Sequence, residues 1–251
     1  MATPRRGSRV NDEDRTRFAK SRAQIIYGAD GRAQRRIHIS AHTPWPIEAS
    51  SEDRRAVSMA GKYAAMTNMR LCALVKAAQY VCRYKIAGPA VVCGAGQGGS
   101  ALALARAFRN AGDTEREIWL YDTFDGAERN EGDDYYSSIA YIKTILAKRC
   151  PQYRQESFIF VQGLVENTIP GRVPEGAISI LHCDTDWYES TKHELNHLYP
   201  RLARGGVILI DDYGVWDGAR KATDEYFAER DDPILLLAVD HTGRMGVKTG
   251  V

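Results

Sequence analysis

From about residue 88 onward, short continuous apolar runs alternate with longer stretches whose apolar positions recur at helical spacing. The runs at 90–93, 118–121, 158–161, 178–181 and 207–210 carry almost no polar residues, the pattern of parallel strands buried on both faces. Between most of them the spacing predicts helices over 100–110, 135–149 and 188–202, and after Gly214 another over 219–230. The segments "ILLLAVD" and "RMGVKTG" then follow as two last strand candidates with no helix between them. Such alternation defines an α/β fold, a doubly wound Rossmann-like sheet with helices on both faces. The closing pair of strands predicts that this mostly parallel sheet has one antiparallel strand near the C-terminus.

Upstream, residues 56–84 read as one or two helices that pack over a sheet edge or a ligand. They follow the turn-rich connector "HTPWPIEASSED", in which Ser50, Ser51 and Asp53 are candidate helix caps. The chain therefore divides into a polar arm or lid over 1–55, N-terminal helices over 56–87 and a core over 88–251. Residues 1–36 hold ten Lys/Arg against four Asp/Glu, so the arm is basic and the remainder mildly acidic. With only Phe18 and Tyr27 as aromatics and no nucleic-acid motif, that charge reads as a solvated, partly flexible arm and not as a nucleic-acid interface. No apolar stretch approaches the roughly 18 residues of a membrane span. Arg5, Arg6 and Arg9 have no apolar run behind them, so no secretory signal is expected. Five scattered cysteines without a CxxC pair suit a reducing cytoplasm, with Cys93 and Cys183 as small core residues.

Candidate chemistry begins with "AVVCGAGQGGSALALARAF", a strand, a glycine turn and a helix. Gly94, Gly96 and Gly99 satisfy G-x-G-x-x-G, which lets backbone N–H groups and a helix N-terminus approach a nucleotide. Ser100 stands where a Walker loop requires Lys, so the turn is not a P-loop. Asp122 ends the next strand, in "IWLYDTFDG", where it is placed to accept ribose hydroxyls. Enzymes that use NAD and enzymes that use S-adenosylmethionine (SAM) share both devices.

His193, Glu194 and His197 reproduce the H-E-x-x-H spacing of zinc proteases. At about 100° per residue, however, Tyr188, Thr191, Leu195, Leu198, Tyr199 and Leu202 form the stripe this helix buries, and the two histidines project away from it, toward solvent. More telling are two acidic strand ends, Asp184 and Asp186 in "LHCDTDWYES" and Asp211 and Asp212 in "VILIDDYGVW". Asp186 can cap the helix that follows, and Asp212 can sit in a turn before Gly214. Four carboxylates gathered beyond adjacent strand ends nevertheless repel unless a cation or protons neutralise them. Hard oxygen donors point to Mg2+ or Ca2+.

The stretches "CGAGQGGSA", "YDTFDG", "VQGLVENTIP", "LHCDTDWYEST", "LYPRLARGGVILIDDY" and "GARKATDEYF" resemble the TylF/MycF family of SAM- and Mg2+-dependent O-methyltransferases, over about residues 56–230. Members methylate sugar hydroxyls on macrolide and aminocoumarin antibiotics. The resemblance implies a class I methyltransferase sheet, with SAM at Gly94, Ala95, Gly96, Gly99, Ser100, Asp122, Thr123, Phe124, Gln162, Gly163 and Asp184. It implies Mg2+ at Asp184, Asp211 and Asp212, and Asp186 as general base. It also implies a small glycosylated acceptor, no nucleic-acid or membrane partner, and a homodimer or higher homo-oligomer. Two positions depart from the family pattern: Val92 where an acidic residue is usual, and Gly96 where an aromatic is common. An NAD(P)-dependent oxidoreductase, a catalytically degenerate nucleotide-binding protein and a catechol-type O-methyltransferase are the rival readings.

Overall fold

Residues 23–27, 33–37, 45–125, 138–231 and 234–250 are described by the computed structural model, in which the chain forms two compact units, Met1–Ala41 and His42–Val251. Within the first unit, strands β1 (Ala23–Tyr27) and β2 (Ala33–Ile37) pair antiparallel, with Ala23 opposite Ile37. The charge-based reading of that segment did not anticipate this hairpin.

In the second unit the apolar window upstream of the sheet becomes two helices, α1 (Ser51–Ala60) and α2 (Asn68–Arg83). Helix α1 starts where it does because Ser50 and Asp53 close a reciprocal capping box. Asp53 N–H donates to Ser50 Oγ at 3.1 Å, and Ser50 N–H donates to Asp53 Oδ2 at 3.0 Å. That start lies ahead of the boundary drawn after residue 55. Thr67 caps α2 through the Arg70 N–H, at 3.2 Å.

The sheet contains β3 (Ala90–Cys93), β4 (Ile118–Asp122), β5 (Phe158–Gln162), β6 (Ile178–Cys183), β7 (Leu202–Ile210), β8 (Leu237–Ala238) and β9 (Arg244–Val247). Its order is β5-β4-β3-β6-β7-β9-β8. The strands β3 to β7 run parallel, and β9 runs antiparallel between β7 and β8, as the helix-free closing pair predicts. Of "ILLLAVD", only the two residues of β8 become strand.

Side chains alternate between two apolar layers. Ala90, Val92, Ile118 and Leu120 face α1, α2, α3 (Gly99–Asn110) and α4 (Ile139–Arg149). Val91, Cys93 and Tyr121 face the short α5 (Val165–Thr168), α6 (Tyr188–Leu198) and α7 (Asp217–Ala228). Helix α4 was expected from residue 135, but residues 135–137 lie outside the described residues. The helix predicted to continue to 202 stops at Leu198. Pro200 lacks the N–H that another α-turn needs, so Tyr199–Arg201 form a 3-10 turn and Leu202 opens β7. Val92, one of the departures from the family pattern, is fully buried in the first layer. Among the described residues no helix is long and apolar enough to cross a membrane, and the five cysteines are unpaired.

Candidate active site

Sheet register assembles the site. Cys93 lies opposite Cys183, and Cys183 opposite Ile210, so the residues that follow each strand emerge side by side. Asp184 N–H donates to Cys93 O, and Asp211 N–H donates to Cys183 O, each at 2.9 Å. The glycine turn and both acidic pairs therefore leave the same edge of the sheet, where ligands of doubly wound folds bind. A Cβ on Gly94, whose φ is +86°, would stand 1.9 Å from Asp184 O, so only glycine lets the loop lie this close to the first acidic pair.

One cavity is lined by Gly94, Ala95, Gly96, Gly99, Ser100, Asp122, Thr123 and Asp184, together with Tyr63, Ala64, Ala65, Met66, Gln97 and Asp125. Asp122 organises its floor: Oδ2 accepts Gly96 N–H at 2.9 Å and Oδ1 accepts Phe124 N–H at 3.0 Å. Each oxygen retains a lone pair for a ligand hydroxyl. Three other residues expected at the cofactor are not among those lining this cavity. Phe124 is buried and packs on Phe160 with ring centroids 5.7 Å apart, Gln162 donates its amide to Thr123 O at 3.2 Å, and Gly163 N–H donates to Asp122 O at 2.9 Å. They support the Asp122–Phe124 segment from behind. The segment 63–66 went unrecognised in the sequence because it forms the turn between α1 and α2 and carries no motif. It is placed by Gly99, whose N–H donates to Tyr63 O at 2.9 Å.

The described lining contains three carboxylates and neither Lys nor Arg. Such a cavity suits a cofactor with a sulfonium cation better than one with an anionic pyrophosphate.

Beside it, carboxylate oxygens of Asp184, Asp186 and Asp212 lie within 4.8 Å of one another. Burial raises the Asp184 carboxyl well above its ordinary range, and the neighbouring Asp211 and Asp186 charges raise it further. Burial also raises Asp212, with Asp186 and Asp184 adding to the effect. Asp212 Oδ2 is shielded from water and has no hydrogen-bond partner among the described residues. Crowded carboxylate oxygens, one of them a buried acceptor without a partner, form a donor set that suits a hard divalent cation.

Asp211 stands apart from this trio. Its Oδ2 is paired with Arg70 Nη1 from α2, both side chains being buried, and its Oδ1 is 3.8 Å from His182 Nε2. Arg70 also lies 3.3 Å from Asp240, which accepts the Thr67 hydroxyl at 2.7 Å. Burial works against the Arg70 charge, but Asp211, Asp240, Asp212 and Asp184 together hold it protonated. Arg70 was not singled out from sequence, although it shares the buried stripe of Ala73, Ala77 and Val81 at helical spacing.

The H-E-x-x-H helix is organised differently from expectation. His193 is half-buried, with Nε2 2.7 Å from Ile169 O, and its ring lies 4.4 Å from that of His197. Glu194 is completely buried with its carboxyl on Thr185, and burial pushes it up to about 8. Thr191, Glu194, Leu195 and Leu198 are all buried, so the i, i+3, i+4, i+7 rule places Glu194 on the inner stripe. The helix is not capped by Asp186: its N-cap is Trp187, with no side-chain capping bond.

Sheet order, glycine turn and acidic strand ends together define a class I methyltransferase-like protein. The chain belongs to the macrocin-O-methyltransferase (TylF) family, which matches residues 33–245. It is 31% identical over 171 residues to the 8-demethyl-8-(2,3-dimethoxy-alpha-L-rhamnosyl)-tetracenomycin-C 4'-O-methyltransferase of Streptomyces olivaceus, covering 63% of this chain and 65% of that protein. It is 28% identical over 172 residues to the demethyldecarbamoylnovobiocin O-methyltransferase of Streptomyces niveus, with the same coverage of 63% and 65%. The match thus spans just under two-thirds of the length of these relatives. In fold, the chain resembles the O-methyltransferase NovP with a TM-score of 0.67, at 23% identity, over 75% of this chain and 83% of that one.

Proposed function

We propose that this chain transfers a methyl group from SAM to a sugar hydroxyl, flanked by a second oxygen, on a glycosylated secondary metabolite. One observation carries the reading: Asp184 lines the glycine-loop cavity and is also a member of the three-carboxylate cluster, so a cofactor and a cation-held acceptor meet at one residue. The relatives named for methylating a rhamnosyl-tetracenomycin and a novobiocin precursor supply the acceptor class.

SAM, when bound, supplies the activated methyl group, and Mg2+ supplies charge that lowers the pKa of a chelated hydroxyl. Gly94, Ala95, Gly96, Gly99 and Ser100 leave room for the cofactor, and Asp122 accepts its ribose hydroxyls while Thr123 closes that wall. Phe124, Gln162 and Gly163 hold this wall in place. Asp184 and Asp212 present carboxyls to the cation. Asp211, also assigned to it from sequence, is held by Arg70 beside this pair and would join them as a ligand if that ion pair opened. Asp186 takes the acceptor proton as the new C–O bond forms. The chain works as a cytoplasmic homo-oligomer.

The test is methyl transfer from labelled SAM, with Mg2+, to a panel of rhamnosylated acceptors and their aglycones, alongside equilibrium binding of SAM and NADH. Sugar-dependent transfer with SAM binding supports the reading. Binding of NADH in place of SAM, or transfer to catechols alone, would overturn it.

A further inference from the structure

Asp186 has a φ of +70°, a region that residues other than glycine seldom occupy. Trp187 N–H donates to Thr185 O at 2.8 Å, closing a three-residue turn with Asp186 at its centre. A γ-turn with positive central φ is the rare, strained form, and such strain persists only where surrounding contacts impose it.

Those contacts converge on Thr185. Its Oγ1 lies 2.6 Å from Glu194 Oε1 and 2.8 Å from Ser190 Oγ. A threonine hydroxyl has one proton, so one of these contacts must draw its proton from the partner. Ser190 Oγ also has carbonyl acceptors in reach, Trp187 O at 3.2 Å and Thr185 O at 3.5 Å. A chain in which a neutral Glu194 donates to Thr185, Thr185 to Ser190 and Ser190 to Trp187 O satisfies all three contacts. Its surroundings agree: Glu194 is completely buried, the weakly donating Cys183 thiol is the other group beside its carboxyl, and no ion pair with Lys, Arg or His involves it among the described residues. A bare carboxylate there would be costly.

We propose that Glu194 is a positioning residue, a neutral carboxyl that clamps Thr185 and thereby sets the turn on which Asp184 and Asp186 face Asp212. The proton-directed chain then runs from Glu194 through Thr185 and Ser190 to Trp187 O. Nothing in the H-E-x-x-H spacing requires a metal for this; the glutamate serves the neighbouring acidic loop. The link from this clamp to methyl transfer rests on the function proposed above, but the clamp itself does not.

Two measurements on the full chain test it, using Glu194→Gln, Glu194→Ala and Thr185→Ala. In calorimetric titration with Mn2+ alone, Glu194→Ala and Thr185→Ala should lose at least about tenfold in affinity, the usual effect of removing an outer-shell partner. Glu194→Gln, which keeps both a donor and an acceptor, should stay within about twofold of the parent. In hydrogen exchange, the Trp187 amide should open at least about tenfold faster in both alanine variants and not in Glu194→Gln. Thr185→Ala, a change nearer the surface, carries the test if Glu194→Ala does not fold. A parent chain that binds no Mn2+ refutes the proposed metal site, and the exchange experiment then decides the clamp alone. Trp187 exchange unchanged in both alanine variants, or Glu194→Gln as impaired as Glu194→Ala, overturns the proposal.

Discussion

Replacing Glu194 with Gln should flatten the dependence of stability on pH. Burial holds the Glu194 carboxyl at about 8, against 4.5 for an ordinary glutamate. Below pH 4.5 the folded and unfolded chains both carry the proton, and the group contributes no slope. Between pH 4.5 and 8 the folded chain keeps a proton that the unfolded chain has released, so stability falls as pH rises, by about 1.4 kcal/mol per unit. By pH 7 the accumulated loss is on the order of 3 kcal/mol, and above about pH 8 the slope vanishes because both states are ionised. Glutamine cannot ionise. Urea denaturation from pH 4 to 9, in EDTA to exclude divalent metal, should show parent and variant converging near pH 4, with the variant increasingly the more stable toward pH 8. Asp184 and Asp212 also retain protons in the fold and slope the same way, but they are common to both proteins and cancel in the difference. Parallel curves across the range would refute the argument, because Glu194 would then ionise as an ordinary glutamate does.

Asp186→Asn should abolish methyl transfer while SAM and Mn2+ affinities measured by calorimetry stay close to the parent's; lost Mn2+ affinity would instead make Asp186 a ligand. Arg70→Met leaves the buried Asp211 without its counter-ion and should cost about 3–5 kcal/mol in EDTA, with Mg2+ raising its melting temperature more than the parent's. Gly94→Ala drives a methyl group into Asp184 O and demands an unfavourable φ, so urea unfolding should show a loss of more than about 2 kcal/mol. SAM affinity should fall with it.

The parallel core was legible because its strands are buried on both faces, leaving uninterrupted apolar runs between glycine turns. The single antiparallel strand followed from two closing runs with no helix between them. Helix ends were less legible where one residue overrides periodicity: Pro200 ends α6 four residues before the apolar spacing does. At the site, the strand-end position of Asp184, Asp186, Asp211 and Asp212 could be read from sequence, but their grouping could not. Which carboxylates face one another depends on Arg70, more than a hundred residues away, reaching Asp211. Glu194 was passed over for a different reason. The neighbouring histidines drew the weighing of the motif, and Glu194 was left out of the buried stripe although helical spacing puts it there. The lining at 63–66 had no signal, since a turn becomes a cavity wall only when tertiary packing brings it to Gly99.

Asp184 belongs at once to the cavity beneath the glycine turn and to the carboxylate cluster. On the proposed function, cofactor and cation would therefore not be independent tenants: each would meet an Asp184 whose charge the other has already altered. Whatever factor Mg2+ applies to the dissociation constant of SAM, SAM must apply to that of Mg2+, because the two orders of loading share the same end states. A double titration of the chain would measure that single number from either direction.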